Sequence, residues 1–280
     1  MTGTIDARAD AVPPHAVMGA KPDALAQAVA LARRSIVGTA RQPAAWLPGI
    51  FFPLMIAAVN ASAMGKSINL PGFDPKPDSF LQFLLPATLI QGVMFGGIIG
   101  GTDMAVDIEN GFFERLVASP VARSSILVGR LAGAGVLGGI QAAVFMLVFT
   151  LFGARVAGGL PAMLVLILCG VILAITIGGL AGAIALRTGS QEAVQSSFPL
   201  IFVLLFMSSA FFPPSLMTGW YQAVAQNNPV TWLINGAREL VITGFSAGAA
   251  AQCLGVALVT AALAVTLATR QFRKRLAVSA

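Results

Sequence analysis

Apolar residues fall in six long runs, at 44–64, 83–104, 126–152, 162–186, 196–213 and 249–269, and polar residues collect in the links between them. About 20 apolar residues cross a bilayer as a helix, so each run predicts a membrane span. The predicted fold is an all-α membrane protein with six transmembrane helices. Before the first run, Leu25, Val29, Ala32 and Ile36 recur at helical spacing while Gln27, Arg34 and Arg41 face the other way. This predicts an amphipathic interfacial helix over 23–42, with Arg33, Arg34 and Arg41 meeting lipid phosphates or a protein partner. A solvated basic lead-in to the first span fits the same residues.

Two links carry patterns of their own. Over 105–130, Ile108, Phe112 and Leu116 form an apolar stripe flanked by Asp107, Glu109, Glu114 and Arg115. The stripe predicts a short amphipathic helix shaped to enter a groove on a soluble partner, and Ser119-Pro120 is expected to cap and restart the helix of the third span. Between the last two runs lie Phe211-Phe212-Pro213-Pro214, Gly219-Trp220-Tyr221 and Asn227-Asn228-Pro229. Asn228 suits an N-cap and Pro229 a first helical position, starting a helix through Val241. One or two short re-entrant or interfacial helices are expected there, near the outer face, with Arg238 and Glu239 toward water or neighbouring groups. Pro48 and Pro53 should kink the first span. Glycines four apart (96/100, 97/101, 129/133, 135/139 and 178/182) predict close helix packing.

Composition agrees with a membrane class. Of 280 residues, 57% are hydrophobic and 10% charged, against about 25% charged in an average soluble domain. An inside N-terminus puts thirteen of the 17 Lys and Arg on the cytoplasmic side, so both termini are expected there. The net charge of +6 sits at span ends instead of in a stripe with interleaved aromatics, which argues against nucleic acid. The expected organisation is a disordered cytoplasmic tail (1–22) with no apolar signal-peptide core, the interfacial helix (23–42), a six-span domain (43–272) and a short cytoplasmic tail (273–280).

The candidate chemistry is sparse. Gly244-Phe245-Ser246-Ala247-Gly248 matches a nucleophile-elbow pattern, which would make Ser246 the centre of an intramembrane serine hydrolase. Such a serine needs a base, and the single histidine is His15 in the tail. Met64-Gly65-Lys66-Ser67 resembles the end of a phosphate loop, but position 60 is Asn60 where a glycine is required. Cys169 and Cys253 fall inside spans and imply neither a disulfide framework nor a zinc site. Asp103 and Asp107 share a helix face, as a cation site or simply as an acidic helix end. The span middles hold no ionisable residue. Their neutral polar residues Asn60, Thr88, Gln91, Gln141, Thr176, Ser208, Ser209 and Thr260 are candidates for lining a substrate pathway or for bonding between helices. A coupling ion is therefore not expected, and any energy source should lie on another polypeptide.

Glu109, Gly111, Glu114, Leu116, Ser119-Pro120, Arg123 and Gly129-Arg130, with Asn228-Pro229 and Arg238 before the last run, resemble the membrane subunits of type 2 ATP-binding-cassette exporters. The likeness is to daunorubicin-resistance-like permeases in particular, over roughly residues 25–275. The resemblance implies a non-enzymatic subunit paired with a second permease copy or homologue in the plasma membrane. It implies two copies of a cytoplasmic ATPase, carrying ATP and Mg, that clasp the coupling segment of Glu109, Gly111, Phe112, Phe113, Glu114, Arg115, Leu116, Ser119, Pro120 and Arg123. It also implies short re-entrant helices before the last span. The neutral spans suit a hydrophobic or amphipathic drug, lipid or glycolipid.

Overall fold

The computed structural model describes residues 23–278 apart from 70 and 74. The expected tail over 1–22, with His15, lies outside the described residues. Among those described, every regular element is a helix: α1 Ala24–Ala40, α2 Pro43–Met64, α3 Phe80–Glu109, α4 Phe112–Ala118, α5 Arg123–Leu151 and α6 Gly159–Thr188. The others are α7 Gln191–Gln195, α8 Phe198–Phe206, α9 Gly219–Asn227, α10 Pro229–Ile242 and α11 Ala247–Val278, with short 3-10 turns at Gly65–Asn69 and Pro214–Leu216.

Five helices, α2, α3, α5, α6 and α11, are long and apolar enough to cross a membrane. The run at 196–213 differs from its expected form. Its helical part is Gln191–Phe206, broken between α7 and α8 where Ser196 and Ser197 hydroxyls donate back to the carbonyls of Ala193 and Val194 and Pro199 follows. Hydroxyls that bond their own turn, next to a proline, bend or interrupt a helix. The nine residues of α8 rise only about 14 Å, less than a hydrocarbon core of about 30 Å, and the chain continues irregularly through Ser208 and Ser209.

α3 lies at the centre, buried almost continuously from Phe80 to Val93. The spaced glycines serve its packing. A Cβ on Gly97 or Gly101 would meet Ile177 or Ala181 of α6, and one on Gly96 or Gly100 would approach Gln141 or Ala134 of α5. Gly135 and Gly139 likewise admit Ile175 and Val171. Each pair lets one neighbour approach to backbone distance, where dispersion holds apolar helices together without help from water. α2 contains both Pro48 and Pro53 and stays peripheral, with Leu47, Phe51, Met55 and Val59 exposed.

The segment before α11 folds back into the bundle. The C-terminal turn of α10 lies beside the α5–α6 link, since Ala157 and Gly158 N–H groups donate to Val241 and Leu240 carbonyls. Its N-terminus dips to where Pro229 and Thr260 border one apolar groove, about 20 Å along α11 from its start. Asn228 caps α10 by accepting from Val230 N–H at 2.9 Å, while its amide donates to Leu204 and Met207 carbonyls at the end of α8. With 14 residues α10 is too short to cross, and the pair α9–α10 makes a re-entrant hairpin.

Candidate functional site at the basic end of the bundle

α4 sits where α1, α3, α5, α6 and α11 end together. Gly111 opens it in the left-handed region, φ 66° and ψ 12°, a conformation in which a side chain would clash with the backbone. The turn splays the two phenylalanines. Phe113 is buried and meets Phe272 of α11 edge to face, with centroids 5.9 Å apart. Phe112 lies under the Arg34 guanidinium of α1 at 4.0 Å from the ring centre.

Charged groups fasten the same elements. Arg34 forks onto Asp107, with Nη1 to Oδ2 at 3.2 Å and Nη2 to Oδ1 at 3.3 Å, and Arg130 of α5 pairs with the same carboxylate. Thr39 donates to Asp103 at 3.5 Å. Arg275 joins Glu114 at 3.2 Å and also donates to the Leu186 carbonyl closing α6. Glu109 accepts the Gln191 N–H of α7 at 2.7 Å. A displacement of α4 therefore acts directly on α1 and α11, and through the adjoining end of α3 on α5 and α7.

Several expected placements change. Ser119 does not restart a helix: it ends α4, its hydroxyl donating to Leu116 carbonyl at 2.7 Å, and α5 begins at Arg123. The entry of α5 is satisfied from α1 instead, by Gln27 Oε1 accepting from Ala122 N–H at 2.8 Å. The expected stripe of α1 divides: Leu25 and Val29 are 68% and 59% exposed and Ile36 is half-buried, while Ala32, together with Ala28, is buried on α5. Only small side chains permit that contact, because Gly129 and Gly133 meet the α1 backbone and Ser35 almost directly. Arg33, Arg41, Arg115, Pro120 and Arg123 are exposed; Leu116 is half-buried. Asp103 and Asp107 are engaged by Thr39, Arg34 and Arg130, and no metal-ligating cluster occurs among the described residues.

The neutral polar residues divide by role. Ser208 and Ser209 are fully buried and bonded within the protein, Ser209 to Asn235 at 3.0 Å. Asn60, Thr176 and Thr260 bond carbonyls of their own helices. Thr88 and Gln141 are buried, Gln141 packing on Gly96. Gln91 alone combines a buried Nε2 lacking a bonding partner with a place at the edge of an aromatic groove. A larger groove of about 440 Å³ adjoins it between α2, α3 and α8, lined by Phe52, Phe95, Phe198 and Phe202 but not by Gln91. Sequence reasoning missed these phenylalanines because an apolar ring within an apolar span carries no signal of its own.

At the opposite end, Arg238 is buried instead of facing water. Its Nε donates to Phe83 carbonyl at 3.3 Å and its Nη2 to Ser209 and Ala210 carbonyls at 3.0 and 3.4 Å, with the guanidinium 3.7 Å above the Phe83 ring. Five fixed donors let one arginine reach the Phe83 carbonyl of α3 and close two backbone groups exposed by the irregular chain after α8. Glu239 accepts from Ser246 at 3.0 Å, and Ser246 in turn caps α11 through Ala249 N–H at 3.0 Å. This geometry suits a helix cap. Ser246→Ala is expected to cost about 1 kcal/mol of stability and to leave ester hydrolysis in the purified chain at background; loss of a measurable esterase on substitution would restore the nucleophile.

The family model for the ABC-2 type transporter matches residues 26–242. The chain is 25% identical over 206 residues, 72% of each chain, to the daunorubicin resistance ABC transporter permease protein DrrB1 of Streptomyces coeruleorubidus. It is 29% identical over 216 residues, 75% of this chain and 72% of the relative, to the putative transport permease ycf38 of Cyanophora paradoxa. With a matched region extending from α1 through α10, the chain belongs to the ABC-2 type transporter family, as a membrane permease of an ABC transporter.

Proposed function

We propose that this chain is the membrane subunit of an exporter that moves a hydrophobic or amphipathic compound, a drug, lipid or glycolipid, outward across the plasma membrane. Two copies of a separate ATPase, holding ATP and Mg, dock at α4, and a second permease copy or homologue completes the passage. The basic end faces the cytoplasm, with both termini on that side. The observation that carries this reading is the fastening of α4. Phe112, Phe113 and Glu114 tie this short helix to α1 and α11, while Asp107 and Glu109 at the adjoining end of α3 hold α1, α5 and α7. Exposed Arg115 and Pro120, with half-buried Leu116 and Ser119 behind them, form the outer edge of α4 that a soluble partner would grip.

Force applied there shifts the balance between two arrangements of the helices, and only a partner whose contacts differ between those arrangements can do so. The aromatic groove between α2, α3 and α8 offers apolar walls, which suit a neutral ring-bearing or acyl cargo better than an ion.

The test is ATP-dependent movement of a fluorescent amphiphile in proteoliposomes holding the permease and its co-expressed ATPase. Glu114→Ala, which releases Arg275 from α4, is expected to leave ATPase binding intact while transport per ATP falls roughly fivefold or more, a loss near 1 kcal/mol of coupling. Unchanged transport per ATP would remove the Glu114–Arg275 link from the coupling route. Failure of every ATPase encoded beside the gene to co-purify would sink the reading as a whole.

A further inference from the structure

We propose that the crevice between α5 and α11 at the basic end is a binding site for one anionic phospholipid, with its phosphate between Arg123 and Arg273 and its acyl chains in the trough below. Each of these helices packs along α6 and scarcely on the other. Leu127 of α5 and Ala268 of α11 come together only over Ala183 of α6, with Leu131 beside them. Above that floor lies a groove of about 390 Å³ whose walls are Val128, Val265, Phe272 and Leu276.

Its rim is positive. Arg123 and Arg273 both line the groove and both are exposed. Among the described residues neither has an ion-pair partner, whereas Arg34, Arg130 and Arg275 at the same end are all paired. No Asp or Glu lines the groove. An apolar trough topped by unpaired arginines at the ends of membrane helices matches the two halves of an anionic lipid.

The direction of the trough favours a lipid over a soluble protein. From Arg123 to Leu131 and from Arg273 back to Val265 it runs about 12 Å inward along both helices. Acyl chains follow that direction, and an acidic side chain on a water-soluble partner ends at the rim. Arg123 is thereby a lipid contact, set apart from the ion pairs that fasten α4. The leaflet occupied follows from the orientation proposed above, but the binding itself requires neither that orientation nor an ATPase.

Native mass spectrometry of the full chain, delipidated in mild detergent and titrated with phosphatidylglycerol or phosphatidylcholine, tests the site. The expected result is one phosphatidylglycerol held at least roughly tenfold more tightly than phosphatidylcholine, with Arg123→Gln/Arg273→Gln erasing the preference. Val128→Trp, which obstructs the trough and keeps both charges, should weaken phosphatidylglycerol as much. Arg270→Gln/Lys274→Gln, an equal loss of charge on α11 outside the groove, should leave it unchanged. The site is overturned if the Arg123/Arg273 variant binds like wild type, if the Arg270/Lys274 control loses as much, if Val128→Trp has no effect, or if soluble glycerol phosphate competes as well as the lipid.

Discussion

Asp107→Ala is expected to lower the stability of the detergent-solubilised chain by about 3 kcal/mol, since removing one partner of a largely buried pair strands the other charge. Asp107 and Arg130 side chains are each only 16% exposed, and Arg34 completes the group from α1. Alanine would leave Arg130 with Asp103 nearby but no carboxylate in direct contact, and would release the Arg34 fork that holds α1 against α3. Two observables follow. The thermal unfolding midpoint should fall by several degrees, and proteolytic cleavage after Arg33 or Arg34 should quicken. Adding Arg130→Met, which removes the stranded charge while keeping an apolar stem, should recover much of the midpoint without restoring protection of α1. An unchanged midpoint in Asp107→Ala would show that the triad contributes little, and a failure of Arg130→Met to recover it would locate the cost elsewhere.

The second large effect concerns packing. A Cβ at Gly101 would lie 2.2 Å from the Ala181 Cβ and 2.7 Å from its carbonyl carbon, so backbone would have to yield instead of a side-chain tip. Gly101→Val is therefore expected to cost 3 kcal/mol or more, at or above the top of the usual roughly 1–3 kcal/mol for overpacking, and to cut the yield of monodisperse protein. Gly100→Ala supplies the comparison. Its Cβ would stand 3.6 Å from Ala134, ordinary contact distance, and the substitution should be neutral or slightly stabilising because alanine favours the helix by about 1 kcal/mol. Equal unfolding midpoints for the two variants would contradict the close α3–α6 approach.

Some of this architecture was legible in advance. Apolar runs of about 20 residues identify bilayer crossings from composition alone, because the hydrocarbon thickness sets the length. Phe112 and Leu116 of the expected stripe fall on α4, although Ile108 belongs to α3 on the far side of the Gly111 turn, and Asn228-Pro229 located the start of α10, because caps and helical periodicity are local properties. Where local signals competed, they misled. Ser119-Pro120 reads as a helix start, yet Gln27, 95 positions away, caps the backbone at Ala122 and moves the start to Arg123. For Arg238 the sequence left water and neighbouring groups both open, and the irregular chain after α8 decided it by leaving carbonyls within reach of a long, multiply donating side chain. For α1, periodicity found an apolar face but could not say whether lipid or protein would meet it; the glycines of α5 decided in favour of the alanine side.

By itself the sequence determined the helical membrane class, the positions of five long helices, the basic end and the two short helices of α4 and α10, since these depend on hydropathy, charge and capping within a turn or two. Tertiary structure alone decided that Arg34 would meet Asp107 across 73 positions, that Phe113 would face Phe272, and that Arg123 and Arg273 would share a crevice. The physical reason is that a helix face specifies what kind of surface it needs, while the partner is chosen by which backbones can approach closely enough, and that depends on all the helices at once.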